Sequence, residues 1–143
     1  MKHTILNCLI LVCSYCYSQS QTQLTQKEGD LLKKDKSQLD GVYRKILKVY
    51  HKDTLFIKNI EFSQKLWKNY YLAQVDAMFP KYPVKRYGSI LSMCVTEYAR
   101  KIINLRIKEL EAWLLGSEDN ECVSSVKPKD ELPAYEPYKS NPD

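Results

Sequence analysis

The stretch Leu39-Asp40-Gly41-Val42-Tyr43-Arg44-Lys45-Ile46-Leu47-Lys48-Val49-Tyr50 places apolar side chains at 39, 42, 43, 46, 47 and 50. Steps of three and four are the period of one face of an α-helix. Upstream, Leu32 extends the stripe, and Thr25-x-x-Glu28 has the form of a capping box, so a first helix is expected over 25–52. Gly41 inside it costs about 1 kcal/mol relative to alanine, which the stripe outweighs. Downstream, Asp53 or Thr54 can cap a second helix over 54–78, with a stripe of Ile57, Ile60, Gln64, Trp67, Tyr70 or Tyr71, and Val75. Pro80 and Pro83 end it, since proline lacks an amide and clashes with the preceding turn. A third helix over 89–115 opens on Ser89. Its stripe reads Leu91, Val95, Tyr98, Ile102, Leu105 and Trp113, and Gly116 suits the positive-φ position past its end. No useful period-two alternation and no Asn-Gly or Asp-Gly turn occurs. The expected fold is all-α: three long helices in an antiparallel bundle spanning 24–116.

Outside this body the chain changes character. Lys2 and His3 precede an apolar run from Ile5 to Val12, and Cys16-Tyr17-Ser18 offers small residues for a cut before Gln19. This is the three-part layout of a secretory signal peptide over 1–18. The run is far shorter than the roughly 20 residues of a membrane-spanning helix, so the protein is expected to be exported, periplasmic or secreted. Lipid anchoring at Cys13 or Cys16 is disfavoured by the bulk of Val12 and Tyr15. At the other end, residues 117–143 hold Pro128, Pro133, Pro137 and Pro142 and no long apolar stripe, which reads as a disordered tail.

Of 143 residues, 22 are Lys or Arg and 17 Asp or Glu, a formal +5 that is unevenly spread. Residues 19–116 carry 18 basic and 10 acidic groups, a net +8, and residues 117–143 carry 3 and 7, a net −4. The cysteines sort the same way. Three of the five leave with the signal, and Cys94 and Cys122 remain as a candidate disulfide in an oxidising compartment. Reach leaves that pairing open. A helix from Cys94 to Leu115 travels about 31 Å, and the following seven steps return at most roughly 25 Å.

Few residues remain for chemistry. Four glycines leave no room for a phosphate-cradling loop, and His51 is the only histidine after His3. His51 stands near the end of the first helix, where capping is its expected role. The mature chain has neither HExxH nor paired Cys-x-x-Cys, and Glu118-Asp119-Asn120-Glu121 lacks the glycine and spacing of a calcium loop. Asp35, Asp40, Glu61, Glu97 and Glu109 read as surface charges or caps. No enzyme activity, metal or cofactor is therefore expected. The lysines interleaved with eleven tyrosines would suit an anionic polymer. Export argues against nucleic acid as that polymer.

Four pieces then form a pattern: Asp35-x3-Leu39-Asp40-x2-Tyr43, Gln64-x2-Trp67-x2-Tyr70, Gly88-Ser89-Ile90-x2-Met93, and Arg106-x3-Leu110. In this order after a signal peptide, they resemble the lysozyme-inhibitor LprI-like family over roughly 33–113. The resemblance implies an exported helical protein that inhibits lysozyme or another cell-wall hydrolase. Members usually carry cysteines at places that correspond here to Val75 and Tyr98, so the usual clamp between helices two and three is missing. Tyr43 and Trp67 fall on the core stripes. Asp40, Gln64, Ser89 and Arg106 are expected as inter-helix hydrogen-bonding residues, because buried polar groups need partners. Glu118, Asp119 and Glu121 form the edge that suits a basic lysozyme. The other expectation is a structural or adhesive envelope module whose basic body holds an anionic wall polymer or a membrane surface.

Export has a direct check. Mass spectrometry of protein from the envelope or culture medium should give a mature N-terminus near Gln19; intact Met1 on cytosolic protein would contradict it.

Overall fold

The computed structural model describes residues 2–81, 86, 88–117 and 124–139, with side chains from Gln21 onward. Its helices are α1 (Lys2–Val49), α2 (Thr54–Met78) and α3 (Leu91–Leu115), followed by one 3-10 turn, Lys129–Glu131. No strand occurs among the described residues, and the fold is all-α. None of the described helices is long and apolar enough to cross a membrane.

The start of α1 corrects the capping-box expectation. The helix continues without interruption through Thr25 and through the expected cleavage position. Thr25 Oγ1 donates to Gln21 O, one turn back in the same helix, at 3.0 Å, and Glu28 is turned toward α3. The helix ends at Val49, where the Nδ1 nitrogen of His51 lies 2.8 Å from Lys48 O, one of the carbonyls a helix end leaves unpaired. A tight turn follows, with Asp53 N–H donating to Tyr50 O at 2.9 Å. Asp53 then starts α2 by accepting from Phe56 N–H through Oδ1 at 2.9 Å. At the far end Phe79 stands before Pro80, and its N–H donates to Val75 O. Ser89, expected to cap α3, instead accepts from Gln21 Nε2 of α1 at 3.3 Å, and α3 opens at Leu91 without a side-chain cap.

Side-chain pairing sets the topology. Partners on α1 and α3 rise together, from Gln21–Ser89 through Asp35–Arg100 to Tyr50–Trp113, so these two helices run parallel. Partners on α2 and α3 run in opposition, from Ser63–Arg106 to Gln74–Tyr98. The path is up, down, up, with α2 antiparallel to both neighbours. The larger interface joins α1 to α3. There Leu39, Val42, Ile46 and Tyr50 meet Ile103, Ile107, Leu110 and Leu114, all buried. Both rows advance in steps of three and four, which lets them interlock over about three turns.

Two stripe expectations change. The α3 face that packs on α1 is Ala99, Ile103, Ile107, Leu110 and Leu114, and Leu105 of the expected stripe is 62% exposed. The helix carries two apolar stripes, and the longer interface took the other one. Trp67 is half-buried. It stacks on Tyr71 at 5.7 Å between ring centroids, with the Arg106 guanidinium 5.8 Å from its ring.

The disordered-tail expectation is corrected over residues 124–139, which lie along the α1–α3 side as a strap. Ser117 and Pro128 form an isolated parallel bridge, and Leu132, Tyr135 and Tyr138 pack against the core. Composition alone hid this, because the strap is held by single aromatic anchors where the sequence has no continuous stripe. Gly116 makes the turn into it at φ 79°, a backbone region that favours glycine. A Cβ at Gly116 would stand 2.8 Å from Lys129 Cα, so the strap passes directly over that glycine.

Denaturant unfolding should separate the two α3 stripes. Ile103→Ala is expected to cost about 2–5 kcal/mol, and Leu105→Ala at most about 0.5 kcal/mol. Trp67→Ala should fall between them.

Candidate functional site

Charged groups sit inside the α1–α3 seam as well as on its surface. Asp35, on α1, is 1% exposed, and Arg100, on α3, is 7% exposed. Each stands on its own helix's core row: Asp35 four residues before Leu39, Arg100 three before Ile103. Arg100 Nε donates to Asp35 Oδ2 at 2.9 Å, and its NH1 nitrogen donates to Glu28 Oε2 at 2.8 Å. Asn104 Nδ2 adds a 3.2 Å bond to Asp35 Oδ2. Burial works to lower the pKa of Arg100, but bonding to Asp35 and Glu28 outweighs it, and the guanidinium is held above its ordinary value. The pair fixes the register of two parallel helices.

The strap completes this cluster. Tyr138 Oη donates to Asp35 Oδ1 at 2.7 Å, so that each oxygen of the carboxylate is engaged. About three turns beyond Arg100 on α3, Glu111 Oε1 accepts from Tyr135 Oη at 2.7 Å and from Tyr138 N–H at 2.6 Å. Lys45 lies over the Tyr135 ring at 4.9 Å and Lys34 over the Tyr138 ring at 5.9 Å. At the strap's start, Lys127 N–H donates to Tyr50 Oη at 3.0 Å, while that hydroxyl donates to Trp113 O at 2.9 Å. Tyr50 also packs with Phe56 and Trp113, which joins the ends of all three helices to the strap. Burial, followed by the bond to Asp35, pushes the Tyr138 hydroxyl up to about 12. Burial and Glu111 push Tyr135 up as well.

The residues singled out from sequence distribute widely. Gln64 Oε1 accepts from Arg106 Nε at 3.1 Å, and Arg106 also reaches Ser63 Oγ and Glu109 Oε2, each at 3.1 Å. These contacts pin α2 to α3. Ser89 joins α1 as described, and Tyr43 and Trp67 pack at the core's edge. Asp40 is exposed instead of lying between helices, because Leu39 and Val42 take the buried positions around it. Cys94 is a half-buried free thiol. Glu118, Asp119, Glu121 and Cys122 lie outside the described residues. Sequence reasoning missed Arg100, Glu111, Tyr135 and Tyr138 and placed Asp35 on the surface. The signal available for Asp35 and Arg100 was positional, since a charge in phase with a core row on each of two helices predicts a buried pair.

The arrangement is a clamp in which one buried acceptor, Asn104 Oδ1, has no hydrogen-bond partner among the described residues. Its acids accept bonds from neutral hydroxyls, an amide and a guanidinium, and it fastens a C-terminal segment to two helices. Ionising Tyr138 would set a phenolate against Asp35. Because its folded pKa lies above the unfolded 10, the Tyr138 contribution to the strap is complete below pH 10 and is lost as pH rises through about 12. Tyrosinate absorbance and protease sensitivity of the strap should rise together in that window. Tyr138→Phe should cost about 1–3 kcal/mol by removing a donor from buried Asp35. A Tyr138→Phe variant as stable as the parent would contradict the clamp.

Comparison with protein-family models, with curated proteins and with solved structures gives no match to this chain.

Proposed function

We propose that the protein is exported, periplasmic or secreted without a lipid anchor, and acts by binding rather than by turnover. The observation that carries this reading is the use made of its enclosed polar groups. Asp35, Glu28 and Arg100 join α1 to α3, Gln64 and Arg106 join α2 to α3, and Glu111 holds the strap. The buried chemistry is spent on rigidity, and a rigid surface of about 800 Å² is what a stable partner needs. The resemblance supplies the partner class: a cell-wall hydrolase such as lysozyme, met through Glu118, Asp119 and Glu121.

A lysozyme activity assay tests this with the processed protein and a triple variant, Glu118→Gln, Asp119→Asn and Glu121→Gln. Inhibition by the parent that falls in the variant is the expected result. These substitutions leave the strap anchors in place, whereas deleting the tail would uncover Asp35 and Glu111 and confuse binding with stability. No inhibition by the parent of any lysozyme class would overturn the hydrolase reading.

A second reading, an envelope module on an anionic polymer or surface, is favoured by the charge of the body. Lys58, Lys65, Lys68, Lys101 and Lys108 are all exposed on α2 and α3. Binding to a soluble teichoic acid that weakens as salt rises is expected under it.

A further inference from the structure

Isolated exposed leucines are ordinary on a protein surface, but a contiguous set is not. On α2, Leu55, Phe62, Leu66 and Tyr70 are 69%, 61%, 51% and 54% exposed. Their spacings of seven, four and four align them along one face. The side of α2 that packs on the core carries Ile57, Ile60, Trp67 and Tyr71, roughly half a turn around. On α3, Leu105 is 62% exposed and lies about 160–200° around from the Ile103–Ile107 row that faces α1. Its neighbour Arg106 bonds Ser63 and Gln64, which sets Leu105 level with Phe62 and Leu66. The apolar set therefore bridges α2 and α3 on the side turned away from α1, and the strap, anchored on Asp35 and Glu111, covers a different side.

The rim of this face is basic. Lys58 and Lys65 follow Leu55 and Phe62 by three positions on α2. Lys101 and Lys108 stand one turn to either side of Leu105 on α3, and all four are exposed. Of the nearby acids, Glu109 bonds Arg106 and Glu97 pairs with Lys101, so Lys58, Lys65 and Lys108 carry the charge of the rim. A second copy docked here would set these lysines against their own counterparts. A soluble anionic polymer would use the lysines and leave the leucines and Phe62 in water. A surface both apolar and anionic satisfies both sets of groups, as at the headgroup boundary of a charged bilayer.

We infer that the α2–α3 face docks on an anionic lipid surface, with Phe62, Leu66 and Leu105 entering the headgroup–acyl boundary and the flanking lysines meeting phosphates. This deepens the envelope-module reading and rests on it.

The test uses the processed protein with three probes: phosphatidylglycerol-containing vesicles, phosphatidylcholine vesicles and lipid-free teichoic acid. Sedimentation only with the anionic vesicles is expected. Phe62→Ser with Leu66→Ser should weaken that binding by about tenfold or more while leaving teichoic acid binding unchanged. Both sites are exposed, so the double variant should keep the parent's circular dichroism and melting midpoint. Teichoic acid binding without vesicle binding, or a double variant that sediments like the parent, overturns the inference and spares the envelope reading. Binding to neither probe overturns both. A parental dimer that the double variant abolishes makes a second copy the occupant and also overturns the inference.

Discussion

The ion pair between Asp35 and Arg100 is the contact on which the arrangement of this bundle turns. Two charges inside a seam are costly to desolvate, and the cost is offset only when every lone pair and proton finds a partner. Asp35 gains three donors, from Arg100, Asn104 and Tyr138, and they arrive from α3 and from the strap. Sliding α3 by one turn along α1 would bury the aspartate against aliphatic side chains and strand the guanidinium. Apolar rows of isoleucine and leucine tolerate such slips, because their neighbours one turn away are equally greasy. The pair supplies the discrimination that the rows lack.

Tyr50 does comparable work at the opposite end of the seam. It is 2% exposed, and its ring meets Phe56 and Trp113 while its hydroxyl both accepts and donates. Between these two points Leu39, Val42 and Ile46 pack on Ile103, Ile107 and Leu110, with buried Glu111 turned to the strap. The bundle is thus pinned polar at each end and greasy in the middle. By contrast, α2 is held by Arg106, by apolar contacts running from Phe56 to Tyr71 and by Gln74 on Tyr98, and it keeps much of its apolar surface in water.

What could be read from the sequence follows from how local each determinant is. The limits of α2 were legible because Asp53 bonds three residues ahead and Pro80 acts on the turn before it. The start of α1 was not, since Thr25 and Glu28 have the form of a cap but serve the helix interior and a salt bridge to residue 100. On α3 two apolar stripes compete, and choosing between them needs the partner helix. The strap was the least legible part. Its anchors are acceptors on other elements, 24 and 103 positions distant, and no local pattern distinguishes Tyr138 from a solvated tyrosine. For the candidate site, Gln64, Ser89 and Arg106 do bond between elements, whereas Asp40 gave its place to Asp35, five positions earlier.

The strap's two anchors differ in the order in which they can form. Glu111 lies within 24 to 27 positions of the tyrosines that bind it, so that contact closes a short loop on a single helix. Tyr138 and Asp35 stand 103 positions apart, and their bond can form only once α1 and α3 are already side by side. Loop-closure entropy therefore makes the Asp35 contact a late event in folding. Contacts absent from the transition state govern how fast a protein comes apart more than how fast it assembles. The strap is in this sense a kinetic fastener: it sets the lifetime of the finished bundle and leaves the rate of assembly to the helices.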